Sequence, residues 1–264
     1  MDFAGKTIWI TGAASGMGRA LALALSPYKG RLILSDRDAA GLAAVAAEVR
    51  QAGAQAEEVA LDMTDSTAIA QSAQQILAKG FRIDALYHFA GISQRSFVHE
   101  TPLENDRRIM EVNFFGVVAL TKALLPHMLA NGGGQLAAAS SLVGKFGFPY
   151  RSAYAASKHA LHGFFESLAV ENHTNNIRVS MLIGGRIQTN ISKFAINKEG
   201  REHGQMDPGQ ANGISAEKAA QQILRGLKKE RAEIPVGGSE LLILKIRRFF
   251  PALHRRIVRK IKPM

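Results

Sequence analysis

The chain has 264 residues, enough for one large core, and a formal net charge of +11. It contains no cysteine, which excludes disulfides, thiolate nucleophiles and cysteine-based metal sites and suits a reducing compartment, so a cytoplasmic address is expected. The basic charge is concentrated: positions 240–264 carry eight Lys/Arg against one acid, which argues against a nucleic-acid groove across the main body, and no nucleic-acid partner is expected.

The opening MDFAGKTIWITG enters a strand-like run without a charged n-region, so no secretory signal is expected, and no apolar span of bilayer length is read along the chain. Apolar, β-branched or aromatic runs then alternate with Ala-rich helical stretches. KTIWIT, RLILS, AEEVALD, DALYHFA, GQLAAAS, IRVSMLIG and AEIPVG read as strands, and the segments between them read as helices. The rhythm predicts an α/β fold: a doubly wound, seven-stranded parallel sheet with helices on both faces and ligands beyond the carboxyl ends of the strands. Residues 190–214 lose periodicity and are rich in Gly, as expected of an excursion that serves either as a substrate lid or as a solvated loop. The expected division is a body over 1–239 and a basic tail over 240–264.

Directly after the first strand comes Thr11-Gly12-Ala13-Ala14-Ser15-Gly16-Met17-Gly18, opening a helix. Glycines there permit a tight turn and close backbone approach to a pyrophosphate, which the helix N-terminus favours. Asp36 ends the second strand where a carboxylate would accept both adenosine ribose hydroxyls and repel a 2′-phosphate. Arg37 beside it would instead take that phosphate, so NAD(H) is favoured and NADP(H) stays open. Asp62 after the third strand is placed to contact adenine or to cap a helix, with Met63 beside it.

Tyr154 and Lys158 stand four residues apart on one helix face, so the ammonium can favour the ionised phenol. Thirteen residues earlier, Ser141 ends a strand, and Asn113 lies inside the long helix before that strand. Ser140 is the rival to Ser141 but would point to the other face of the strand.

In order and interval, TGxxxGxG, Asn113, Ser141 and YxxxK resemble the short-chain dehydrogenase/reductase family, a likeness running from about Thr7 to Val236. Within it, ALTKALLPHM, GKFGFPYRSAYAASKHAL and AINKEGREHGQMD resemble the dehydrogenase/reductase member 7-like branch, with hydroxysteroid dehydrogenases nearby. The resemblance implies a Rossmann fold and an NAD(P)-dependent oxidoreductase acting on CH–OH or C=O groups. Tyr154 would exchange a proton with the reacting oxygen. Lys158 would stabilise its phenolate and bind the nicotinamide ribose, Ser141 would hold the substrate oxygen, and Asn113 would anchor a water. Ala90 and Gly91 would approach the cofactor closely, Gly185 would belong to the cofactor-binding turn, and the Ile187 backbone and Thr189 hydroxyl would meet the nicotinamide carboxamide. The family commonly has Asn-Asn-Ala-Gly where this chain has His88-Phe89-Ala90-Gly91, and Pro-Gly where it has Gly184-Gly185. Branch relatives often prefer NADPH, with a neutral residue where Asp36 stands. Homodimers or homotetramers are common in the family.

Phe97, Val143, Phe148, Tyr150, Phe194 and Met206 fall in segments facing the substrate side, which predicts an apolar pocket for a lipid-, steroid- or retinoid-like ketone or secondary alcohol. The alternative function is a catalytically silent dinucleotide sensor or scaffold. His88 has no partner at ligand spacing and reads as structural, and no metal site is expected. Beyond Pro251, Leu253, Ile257 and Ile261 recur every four residues among arginines. Such a basic amphipathic helix can lie in an anionic membrane interface, which would place the protein peripherally on a membrane's cytoplasmic face. A solvated or partner-bound helix is the competing account.

Overall fold

The computed structural model describes residues 1–260. Its first half is built from β1 (Thr7–Thr11), α1 (Gly16–Leu25), β2 (Arg31–Asp36), α2 (Ala39–Gln51), β3 (Gln55–Ala60), α3 (Ser66–Ala78) and β4 (Ala85–His88). After β4 come β5 (Gln94–Arg95), α4 (Leu103–Met110), α5 (Gly116–Ala130), β6 (Gly134–Ser141), α6 (Ser152–Glu171) and β7 (Ile177–Gly184). The remainder comprises β8 (Ile196–Asn197), α7 (Pro208–Ala211), α8 (Ala216–Lys228), β9 (Glu233–Val236), α9 (Leu242–Phe249) and α10 (Pro251–Lys260).

Seven strands form one sheet in the order β3-β2-β1-β4-β6-β7-β9, and every pairing is parallel. All seven correspond to runs read from the sequence. The alternation of side chains in TIWIT explains why the sheet is covered twice. Ile8 and Ile10 enter the core beneath α1, α2 and α8, while Trp9 enters the core beneath α3, α5 and α6. Trp9 is fully buried, and its indole N–H donates to Ser35 Oγ at 3.0 Å, so burial leaves no orphan donor.

The reversal of strand order lies between β1 and β4, which opens a crevice above their carboxyl ends. The glycine loop after β1 and the His88–Gly91 stretch after β4 both border it. The helix between β5 and β6 is not uniform: residues Glu111–Phe115 form a π-turn between α4 and α5. Taken as one helix, Leu103–Ala130 spans 28 residues and contains an 18-residue window of mean hydropathy 1.4, long and apolar enough by composition to cross a bilayer, where the sequence reading saw no such span. In this fold Val117, Leu120, Leu124 and Met128 of that helix pack into the core instead.

The 190–214 stretch carries its own small order. Strand β8 pairs in parallel with β5 as a separate two-stranded sheet, and α7 follows. At its end Asp207 is buried and bound by two guanidiniums. Arg95 reaches it in a bidentate pair at 3.1 and 2.6 Å, and Arg151 approaches one carboxylate oxygen at 2.7 Å. The tail breaks at Pro251 into α9 and α10, and the imidazole of His254 packs edge-on against Phe146 at 4.7 Å. Ile261 of the predicted tail periodicity lies outside the described residues. Glu240, assigned by sequence to the tail, is bound to the body: its carboxylate accepts from the backbone N–H of Arg186 at 2.7 Å and of Gly238 at 3.0 Å.

Candidate active site

The glycine loop is shaped by contacts that leave no room for side chains. Gly12 has φ +69°, and a Cβ there would lie 2.5 Å from Ala90 N; a Cβ on Gly18 would meet the Gly12 carbonyl. Thr189 closes over the loop, since a Cβ on Gly16 would sit 3.3 Å from its methyl. Ser15 occupies the N-cap of α1 in extended conformation with its side chain uncommitted, and Met17 packs on the core. The cradle therefore fits a pyrophosphate at a helix N-terminus.

Asp36 is held beside this loop. Its two oxygens accept from Ala14 N and Asp38 N, both at 3.1 Å, which fixes the carboxylate at the end of β2, and Arg37 is exposed. Asp62 accepts from both the backbone and the hydroxyl of Thr64, whereas Asp65 caps α3. Met63 is buried, and its carbonyl lies where Gly116 lets α5 come close.

Across the crevice, Tyr154, Val143 and Ala155 form a small buried cluster with Phe148 packed against it. Burial pushes the Tyr154 phenol up; the Ser141 hydroxyl as hydrogen-bond donor, and then the guanidiniums of Arg151 and Arg95, pull it back. Lys158 donates from Nζ to the Ala139 carbonyl at 2.7 Å and lies 5.7 Å from the centre of the Tyr154 ring. Burial lowers its pKa from 10.5 to about 8. The positive field on Tyr154 thus includes two arginines that sequence reasoning missed, Arg95 and Arg151; it also missed Asp207, the carboxylate that binds both and offsets part of their charge.

Asn113 sits in the π-turn and acts as a brace. It exchanges hydrogen bonds with the backbone of Ile92, accepting at 2.8 Å and donating at 2.9 Å, and donates to Ser157 Oγ at 3.0 Å. A Cβ on Gly91 would lie 3.1 Å from Asn113 Oδ1 and 3.4 Å from Lys158 Nζ, so these three residues adjoin one small space. Ser140 and Ser141 do part to opposite sides: Ser140 is buried against His162 Nε2 at 2.9 Å.

His88 is enclosed, with Nε2 3.0 Å from Thr121 Oγ1. Burial, and after it Lys158, lower its pKa to about 3, which keeps it neutral. Of the substrate-side residues, Val143 and Phe148 join Tyr154, and Phe97 stacks on Tyr150 with ring centres 4.2 Å apart. Tyr150 adopts a left-handed φ of +64°, which turns the chain into α6. Met206 contacts the Ser192 hydroxyl within the 190–214 stretch, whereas Phe194 is exposed and the structure does not bring it to the cluster. Ile187 is buried and bridges Ile214, and a Cβ on Gly185 would strike Glu240. Outside the crevice, His162, Glu166 and Glu233 place ligand-type atoms within 4.8 Å of one another, but the Lys145 ammonium lies among them, bonded to Glu233 and 3.3 Å from His162 Nδ1.

Comparison with known proteins gives this geometry its context. The family model for short chain dehydrogenase matches residues 6–200. Dehydrogenase/reductase SDR family member 7B of Bos taurus is 39% identical over 256 residues, covering 94% of this chain and 79% of the relative. Dehydrogenase/reductase SDR family protein 7-like of Drosophila melanogaster is 36% identical over 261 residues, covering 97% and 80%. A metagenomic short-chain oxidoreductase solved with NADP is 34% identical with a TM-score of 0.67, covering 69% of this chain and 83% of that one. A short chain dehydrogenase/reductase from Burkholderia phymatum solved with NAD shares the fold, with a TM-score of 0.84 at 23% identity, covering 100% and 98%. The chain belongs to the short-chain dehydrogenase/reductase family and is an oxidoreductase that acts on CH–OH or C=O groups with a nicotinamide cofactor.

Proposed function

We propose that this enzyme interconverts a hydrophobic ketone and its secondary alcohol, with Tyr154 as the proton-exchanging group at the reacting oxygen. The observation that carries the reading is the convergence of Tyr154 and Ser141 beside the apolar surfaces of Val143 and Phe148. Ser141 holds the oxygen of the substrate, and Tyr154 gives or takes its proton. A bound nicotinamide supplies or accepts the hydride. Lys158, Arg151 and Arg95 keep the neighbourhood of the phenol positive, so the phenolate formed after proton donation is stabilised. Phe97 and Tyr150 extend the apolar wall and favour a lipid-, steroid- or retinoid-like substrate.

The preferred cofactor in this reading is NAD(H), because the fixed Asp36 carboxylate suits free ribose hydroxyls and opposes a 2′-phosphate. The tail provides membrane contact: Leu242 and Phe249 of α9, Phe250 at the break and Leu253 of α10 are exposed among basic residues. One experiment tests these points together. NADH and NADPH consumption is followed over steroid, retinoid and long-chain ketones, with and without anionic vesicles, in the wild type and Tyr154→Phe. We expect NADH-preferring turnover, raised by vesicles and reduced at least ~1000-fold in the variant while cofactor binding is retained. Undiminished turnover in Tyr154→Phe overturns the catalytic assignment, and equal or better use of NADPH overturns the cofactor preference.

A further inference from the structure

Away from the catalytic residues a cleft of about 550 Å³ opens between the tail helices, the loop after β6 and the outer side of α6. Arg247, Arg255 and Arg259 line it together with His159 and His254, and no carboxylate does. Among the described residues none of these three arginines forms an ion pair with an acid, a state they share with other surface arginines such as Arg37 and Arg231; what sets them apart is that they gather at one concavity. Three guanidiniums gathered at one concavity repel one another unless an anion joins them.

A second observation points the same way. His254 is 7% exposed, and its Nε2 is buried without a hydrogen-bond partner. A buried polar nitrogen in that state lacks the partner that water or a ligand would provide. The ring itself is fixed by its edge-on contact with Phe146. His159 Nδ1 is 2.8 Å from the Ala155 carbonyl, which accepts its proton and leaves Nε2 as the uncommitted nitrogen at the cleft. Guanidiniums form paired hydrogen bonds to phosphate oxygens; an unpartnered nitrogen of neutral His254 can carry an N–H as a further donor, whereas His159, whose Nδ1 holds the proton of the neutral ring, donates from Nε2 only as an imidazolium.

We propose that this cleft binds a phosphate group, at a site separate from the nicotinamide and substrate positions. It requires neither the substrate class nor the membrane contact proposed above. Phe146, Pro251 and Val258 supply apolar surface beside the arginines, which suits a phosphate carried on an amphiphile. The site also bears on catalysis by position, because Phe146 lies in the loop that continues from Ser141 through the Leu142–Gly144 turn.

The test uses the full-length protein, titrated separately with inorganic phosphate, hexyl phosphate and hexanol while the His254 ring resonances are followed by NMR. Burial, and after it Arg247, hold the His254 pKa below its ordinary value, so a bound anion moves it upward. Saturable binding of hexyl phosphate is expected, weakened about 10-fold or more in Arg255→Gln and Arg259→Gln and less than about 2-fold in Arg256→Gln, whose parent residue does not line the cleft. NADH affinity, measured in parallel, remains that of the wild type and reports folding. Equal affinity for inorganic phosphate identifies a free phosphate ligand, whereas ~10-fold tighter hexyl phosphate identifies an amphiphile, and both support the site. Absence of saturation, equal binding of hexanol, or an equal loss in Arg256→Gln overturns it.

Discussion

At the scale of single residues, Lys158 is the side chain whose setting has the most direct consequence for solution behaviour. Its ammonium is enclosed, and burial lowers its pKa from 10.5 to about 8. The folded state therefore binds the proton less tightly than the unfolded chain. Below pH 8 both states are charged and the fold carries the full cost, about 3 kcal/mol by the size of the shift; between about pH 8 and 10.5 the folded state releases its proton first and stability rises. Lys158→Met should accordingly unfold at higher urea than the wild type at pH 7, by ~2 kcal/mol after loss of the bond to Ala139, with the gap closing toward pH 10.5. Parallel stability curves for the two proteins across that range would refute the account. Tyr154 and Lys158 were legible in the sequence because four residues of helix bring them to one face. Arg95, Arg151 and Asp207 were not, because Arg95 and Arg151 meet Asp207 across 112 and 56 positions of chain, and no local spacing encodes such a meeting.

At the scale of elements, the seven strands were readable because alternation in runs such as TIWIT must send side chains to two opposite cores. The paired dipeptides β5 and β8 carry no period long enough to detect. The π-turn at Glu111–Phe115 was equally hidden, since its sequence EVNFF continues a helical pattern. Its use is visible in Asn113, which the resemblance cast as the anchor of a water and which the structure shows tied to both backbone groups of Ile92 and to Ser157. Replacing Asn113 by Ala leaves the part-buried N–H and C=O of Ile92, and the buried Ser157 hydroxyl, without those partners, at about 1 kcal/mol or more each. Urea unfolding of Asn113→Ala without cofactor should therefore show a loss of ~2–4 kcal/mol. A loss below ~0.5 kcal/mol, with activity still impaired, would mean that the residue serves the chemistry without bracing the loop.

At the scale of the whole molecule, the 190–214 excursion is joined to the body by a buried three-charge contact. Arg95 comes from the short strand β5, Arg151 from the residue before α6, and Asp207 from the excursion itself. One carboxylate answers two guanidiniums, so its removal leaves the buried Arg95 and the largely covered Arg151 without their shared counter-charge. Breaking a buried pair in this way costs about 3–5 kcal/mol. Much of that loss should appear locally, because the excursion can detach while the seven-stranded sheet, with its two covered faces, stays closed. In Asp207→Asn, tryptic cleavage after Lys193, Lys198 or Arg201 should accelerate at least ~10-fold, while sites in the body such as Arg50 and Lys79 stay as resistant as in the wild type. The KM for a ketone should rise at the same time, since Met206 belongs to the segment released and Arg151 adjoins both Phe148 and Tyr154. Uniform acceleration at all sites would show that the triad supports the entire fold, and unchanged cleavage within 190–214 would show that the small β5–β8 sheet alone is enough to hold the excursion in place.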